Sequence, residues 1–257
     1  MRTPFALALL GAVTACAHEP RQGQWERIFD GETLAGWTPK ITGRAVGEDP
    51  LDMFVIEDGA IRVSYANYPK FEGEFGHLFW KAPLGAYRIR LEYRLLGETL
   101  PGVKEWQASN SGLMFHAQAP ETMARDQAFP VSLEVQLLAV PRPTQEPTGN
   151  LCTPGTTVVF EGKRDPRHCI LSSSPLLPLG RWHRLELEVL PNGEITHFID
   201  GEPVLRYSGA ELDPADADAR PVIAAAGGKL ALRRGYIALQ SEGHPVEFRN
   251  IELQRLD

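Results

Sequence analysis

Apolar and polar residues alternate one for one in short stretches spread along this chain. In Arg88-Ile89-Arg90-Leu91-Glu92-Tyr93-Arg94-Leu95, four apolar side chains take one parity and four charged ones the other. Leu185, Leu187 and Val189 alternate with Glu186 and Glu188. Val131, Leu133, Val135 and Leu137 alternate with Ser132, Glu134, Gln136 and Leu138. Successive side chains of a strand point to opposite faces, so this period calls for extended strands with one face in a core. Asn192-Gly193 separates a strand ending near Leu190 from residues 194–199, and Asp200-Gly201 opens a return through residues 204–207. Both dipeptides supply the positive φ angles of tight hairpins, which predicts a three-strand meander. Two last strands are expected at 236–240 and 246–253. No amphipathic helix longer than two turns is evident. Segments 117–130, 139–157 and 208–223, rich in Pro, Ala and Gly, read as long loops and candidate site walls. Many short strands with no helices between them predict an all-β, two-sheet sandwich.

The first sixteen residues, MRTPFALALLGAVTAC, follow another rule. One Arg beside the amino terminus precedes an apolar run, Phe5 to Ala15, too short to span a bilayer. This is the pattern of a secretory signal. Val13-Thr14-Ala15-Cys16 resembles a bacterial lipobox, which implies lipidation at Cys16 and an exported, cell-envelope lipoprotein facing the periplasm. The expected organisation is a lipoprotein signal over 1–16, a polar tether over 17–25 and a single domain over 26–257. No later stretch approaches 18 consecutive apolar residues, so contact with a membrane is expected through the lipid alone. The formal net charge is −7 and no basic block stands out, which argues against nucleic acid as a partner.

With Cys16 assigned to lipid, Cys152 and Cys169 remain as a pair in an exported chain, and a disulfide between them is expected. In the chain-entropy account, closing such an interval contributes roughly 3 kcal/mol. Neither has a neighbouring CxxC or HxxxH partner for metal binding. Motifs of nucleotide-dependent and common hydrolytic enzymes (GxGxxG after a strand, Walker A, HExxH, GxSxG) are absent.

Six blocks carry a family resemblance. Phe29-Asp30-Gly31-Glu32-Thr33-Leu34-Ala35-Gly36-Trp37, Ser109-Asn110-Ser111-Gly112-Leu113 and Leu133-Glu134-Val135-Gln136-Leu137 come first. Gly180-Arg181-Trp182-His183 with Ile195-Thr196-His197-Phe198-Ile199-Asp200-Gly201 follows, then Gly235-Tyr236-Ile237-Ala238-Leu239-Gln240 and Gly243-His244-Pro245-Val246-Glu247-Phe248-Arg249-Asn250-Ile251. In this order they resemble the 3-keto-disaccharide hydrolase domain family, and together they span about residues 25–255. His183 and Asp200 stand where that family usually has Asn. The resemblance implies a concanavalin- or glucanase-like β-jelly-roll, and an activity splitting the bond between a 3-keto sugar and its aglycone. A small carbohydrate is then the substrate, and a sugar 3-dehydrogenase is the implied functional link.

A ketone at C3 acidifies the C2 hydrogen, so cleavage can proceed by proton abstraction and elimination, with water adding afterwards. That route needs a base near C2, an electrophile at the C3 oxygen and a proton for the leaving group. A bound divalent metal ion suits the electrophile role. If Val131, Leu133 and Val135 face the core, Glu134 and Gln136 share the opposite face, about 7 Å apart. Glu134 is the first candidate for base or metal ligand, and Gln136 for holding sugar hydroxyls. On the strand through Gly112, Met114 and His116 are expected to share a parity, making His116 a second candidate base or ligand. Asn110 and Ser111 are substrate contacts or parts of a bend. His77, His244, Glu247 and Arg249 are further candidates, His244 also reading as a turn residue and the last two as a structural ion pair. Trp80 and Trp106, in loop-like contexts, are candidate stacking platforms; Trp37 and Trp182 read as core and His197 as structural. Two other function classes remain open: a carbohydrate-binding module without catalysis, and a conventional glycosidase with Glu247 as the second carboxylate.

Overall fold

A computed structural model describes residues 23–97 and 99–257; the expected leader, the lipidation residue Cys16 and the tether up to residue 22 lie outside the described residues. Seventeen strands are described. The first eight are β1 (Trp25–Arg27), β2 (Trp37–Ile41), β3 (Phe54–Glu57), β4 (Ala60–Val63), β5 (Gly76–Trp80), β6 (Tyr87–Leu95), β7 (Asn110–Ala117) and β8 (Leu133–Leu138). The remainder are β9 (Asn150–Cys152), β10 (Thr156–Phe160), β11 (Lys163–Asp165), β12 (Cys169–Ile170), β13 (His183–Val189), β14 (Ile195–Ile199), β15 (Glu202–Leu212), β16 (Tyr236–Ser241) and β17 (Val246–Arg255). The larger sheet runs β11-β10-β15-β14-β13-β6-β17-β4-β3, with β1 beside β17, and the smaller runs β12-β9-β8-β7-β16-β5-β2. Pairing within both is antiparallel. The architecture is the expected two-sheet, concanavalin-like sandwich.

Alternation decides which side chains fill the space between the sheets. Burial along β6 switches at every residue, with Ile89, Leu91, Tyr93 and Leu95 turned inward. Leu91 lies opposite Leu185 and Ile89 opposite Leu187, so two alternating strands pool one apolar surface. Leu113, Phe115, Leu133, Val135, Leu137, Ile237 and Leu239 of the smaller sheet meet it in one continuous core. The expected meander forms as β13, β14 and β15.

Several readings need correction. Trp25, placed at the end of the tether, starts β1 on the edge of β17. Segment 139–157 contains β9 and the start of β10, and 208–223 contains the end of β15 and part of a two-turn helix, α1 (Ala219–Ala225). β5 and β9 were unmarked because all of their residues are buried: with both faces covered, a strand has no polar parity to display. Trp182 is not in the core. It lies on the larger sheet's outer face, with the Arg249 guanidinium 3.9 Å and that of Arg94 4.7 Å from its ring centre.

That outer face is a lattice of ion pairs between neighbouring strands. Arg94 pairs with Glu247 and Arg249 with Glu92 (2.7 Å) across β6 and β17. Arg90 pairs with Glu252 (2.6 Å), and Arg88 with Glu186 of β13. The smaller sheet's outer face is instead partly roofed by segment 117–130. Met123 packs on Phe79, Met114 and Ala238, and Phe129 stacks edge-on over His77. Lys40 Nζ and Gly43 N–H both donate to the Arg125 carbonyl, tying the roof to the sheet.

Candidate functional site

Where the roof stops, the smaller sheet opens into a cavity of about 310 Å3 whose walls include Glu134, Gln136, Asn110, Arg142, Trp106 and Glu242. Register explains the assembly. Lys40, His77 and Gln240 are partners across β2, β5 and β16, and Gly112, Gln136 and Asn150 across β7, β8 and β9. One step along, Met114, Glu134, Cys152 and Cys169 form a second row. Gly112 leaves a gap in the first row, and the Glu134 side chain lies across it. A Cβ built on Gly112 would stand 2.5 Å from Glu134 Oε1 and 2.8 Å from its Cγ.

Glu242 follows Gln240 on the same parity, in the turn after β16. Its position is held by neighbours on both sides: Tyr65 Oη shares a hydrogen bond with Ser241 Oγ (2.6 Å) and accepts one from the Gly243 N–H (2.6 Å). Gln107 Nε2 donates to the Glu242 carbonyl. Glu242 Oε2 is buried without a hydrogen-bond partner. Burial pushes the Glu134 carboxyl up to about 8, with a hydrogen bond to Gln240 pulling the other way. Burial likewise holds Glu242 well above the usual carboxylate range, and the charge of Glu134 adds to the effect. Burial thus favours the protonated form at both carboxyls, and the charge of either one opposes ionisation of the other.

Arg142 supplies the opposite charge. It is buried, its Nη2 donates to the Trp106 carbonyl (3.2 Å), and its Nε and Nη1 have no hydrogen-bond partner. Glu146 lies 3.5 Å from Nη1 at the cavity wall. Asn110 Nδ2 donates to the same Trp106 carbonyl, which leaves its buried Oδ1 unpartnered. Gln136 Oε1 accepts from Asn150 Nδ2 (3.0 Å). Trp106 is 46% exposed and stacks on Phe75, offering a free aromatic face at the mouth. The expected disulfide joins Cys152 to Cys169 and lines the cavity.

Four expected residues, Glu134, Gln136, Asn110 and Trp106, thus converge, and others do not. His116 adopts a positive φ beside a bulge in the β7–β16 pairing, so the parity it was to share with Met114 fails. It lines a different cavity with Leu190 and Arg233, and burial lowers it to about 4. Ser111 donates to the Gln240 carbonyl, a cross-strand tie. Trp80 packs in the core at 5.2 Å from Trp37. Glu247 and Arg249 belong to the ion lattice of the other sheet, paired with Arg94 and Glu92 rather than with each other. His77 lies on the right face but under the roof, both ring nitrogens unpartnered. His244 shares a hydrogen bond with Thr99 and is outside the cavity wall. His197 is structural as read, bonded to the Gly149 carbonyl and the Tyr207 hydroxyl. Glu242 and Arg142 went unselected, although parity with Gln240 marked the first and segment 139–157 contained the second.

A divalent ion needs several donors converging on one point. Among the described residues, no three His, Cys, Asp or Glu side chains gather in that way, and His116 is in another cavity than Glu134. The residues present do not fit the metal site considered for Glu134 and His116.

Solved structures share the fold at low identity. A Parabacteroides distasonis protein provisionally named a glycosyl hydrolase is 18% identical, with a TM-score of 0.51 over 91% of this chain and 94% of its own. A Bacillus subtilis protein described by its galectin-like fold is 12% identical, with a TM-score of 0.54 over 93% and 97%. The exoplasmic/lumenal domain of VIP36, in a form bound to Ca2+ and Man3GlcNAc, is 11% identical, with a TM-score of 0.51 over 90% and 88%. No curated protein sequence matches the chain. One family model matches residues 24–254, nearly the whole length. The chain belongs to the 3-keto-alpha-glucoside-1,2-lyase-like domain family.

Proposed function

We propose that this protein cleaves 3-keto-glycosides, with Glu134 and Glu242 dividing the proton transfers and Arg142 stabilising charge at the ketone. The observation that carries this reading is the pair of buried carboxyls, both pushed upward, in one cavity with an underpartnered guanidinium. A carboxylate of the pair takes the C2 proton, and negative charge develops on the C3 oxygen. The Arg142 N–H groups neutralise that charge, a role in which fixed donors are worth several kcal/mol, about 3 for a single one. The electrons then form the C1–C2 double bond as the C1–O bond breaks, and the protonated carboxyl gives its proton to the departing oxygen. Addition of water at C1 and a proton at C2 completes net hydrolysis. Trp106 offers a face for the sugar ring, and Asn110 and Gln136 hold hydroxyls.

The test is release of a chromogenic aglycone from a 3-keto-glucoside and from its unoxidised parent, using protein that lacks residues 1–16. Release from the keto form alone is expected. Release from both would replace elimination by a two-carboxylate glycosidase built on Glu134 and Glu242. Binding without release would leave a carbohydrate-binding module. The envelope location belongs to the same proposal, with a sugar 3-dehydrogenase supplying the ketone; radiolabelled palmitate should enter the full chain and not its Cys16→Ser variant.

A further inference from the structure

The cavity holding Glu134 and Glu242 does not end at its own wall. Phe129, Pro154 and His168 line it and also line a second cavity of about 610 Å3. The second cavity is thus reached across a sill of three side chains, and it has about twice the volume of the first. Its walls differ in chemistry as well. The catalytic cavity carries the exposed Trp106 and Leu171 at its mouth, whereas the second interleaves acceptors and donors. Asp213 and Asp216 each use Oδ1 to accept backbone N–H groups, leaving Oδ2 free among the described residues. Arg167 is held in place by Asp165, and Thr157 adds a hydroxyl. Closely spaced donors and acceptors, with Phe129 and the His168 imidazole as the aromatic rings at the entrance, suit a run of vicinal hydroxyls better than a flat aryl group.

We infer that the second cavity is the leaving-group subsite, and that it takes two sugar rings. The inference rests on the proposed cleavage at Glu134 and Glu242. If the 310 Å3 cavity holds one keto sugar, the neighbouring 610 Å3 holds about two more, so the preferred substrate is an oligosaccharide of three rings with the ketone on its terminal ring. Binding energy from the remote rings is then available to orient the reacting bond.

The experiment compares kcat/KM for oligoglucosides of two, three and four rings, each oxidised at C3 of the non-reducing ring. A rise of about 10-fold from two rings to three, and none from three to four, is expected. Thr157→Trp, which narrows the second cavity, should abolish the gain from the third ring. Arg167→Ala removes a wall group without adding bulk and should reduce the same gain, which guards against a misfolded Trp variant. Equal rates for two and three rings would overturn the subsite and leave the keto-glycoside reading standing. No turnover of any oxidised member, with all of them soluble and the protein folded, would overturn that reading and the leaving-group role together.

Discussion

Each sheet turns one face to the core and one away, and the two outward faces handle charge in opposite ways. On the larger sheet every arginine of β6 meets a carboxylate on the neighbouring strand, and the pairs stay partly hydrated, with Arg249 and Glu92 each about a third exposed. On the smaller sheet Glu134, Glu242 and Arg142 are buried, and atoms of Glu242 and Arg142 lack hydrogen-bond partners. A surface lattice tolerates the loss of a member, because water replaces it. A buried, incompletely paired charge is a standing cost that a fold retains where function uses it. The lesson is that the number of acids on a face says little about a site, and that their access to water and partners says more.

The comparison is broken most severely by neutralising the acid pair. Glu134→Gln or Glu242→Gln should lower turnover by about 10^2 to 10^4 while the protein stays folded. Above about pH 8, where the native pair must ionise, Glu134→Gln should also raise the melting temperature, by roughly 2–4 °C for each kcal/mol relieved. Turnover and a melting scan of the same variants check both halves, and unchanged turnover would remove the carboxyls from the mechanism.

Gly112→Ala comes next. Its new methyl group displaces the Glu134 side chain, for an expected cost of about 1–3 kcal/mol in stability and a loss of turnover. Denaturant unfolding and a rate assay measure the two, and the same substitution at Gly97, which has nothing within 4 Å, should do neither.

The pH dependence of stability sharpens the comparison without mutation. Burial lowers His77 to about 3 and His116, His197 and His244 to about 4, all from an ordinary 6.5. Their neutral forms contribute stability that is whole above about pH 6.5 and drains away as pH falls toward 4. The raised carboxyls work in the other direction, costing stability increasingly as pH climbs from 4.5 to about 8. Melting temperature against pH should therefore fall on both sides of a maximum, and Glu134→Gln should flatten the alkaline side only. The smallest effect is expected on the opposite face: Arg249→Ala should cost about 0–1 kcal/mol in a denaturant titration and leave turnover unchanged.

Fold was legible in the sequence wherever a strand has one wet face, as in β6 and β13, because only such strands show a period of two. β5 and β9 are covered on both faces and left no such trace. The same logic governed the site. Parity correctly put Glu134 and Gln136 away from the core, since β8 pairs without a break. It misdirected His116, because the bulge opposite Tyr236 and Ala238 cancels the alternation just before that residue. Glu242 kept the parity of Gln240, but its burial depends on Tyr65 and Gln107, 177 and 135 positions away, and no local pattern reports that.

The Cys152–Cys169 bridge has a consequence for how these molecules behave toward one another. It joins register partners on β9 and β12, and β12 is a two-residue strand at the margin of the smaller sheet. While the bridge holds, the backbone groups of β9 stay covered by a margin too short to recruit a neighbouring chain. A reducing agent would leave that cover to a few hydrogen bonds, and its fraying would bare an unpaired edge beside the cavity. Under reducing storage the first symptom should be self-association through that edge, ahead of any loss of the core.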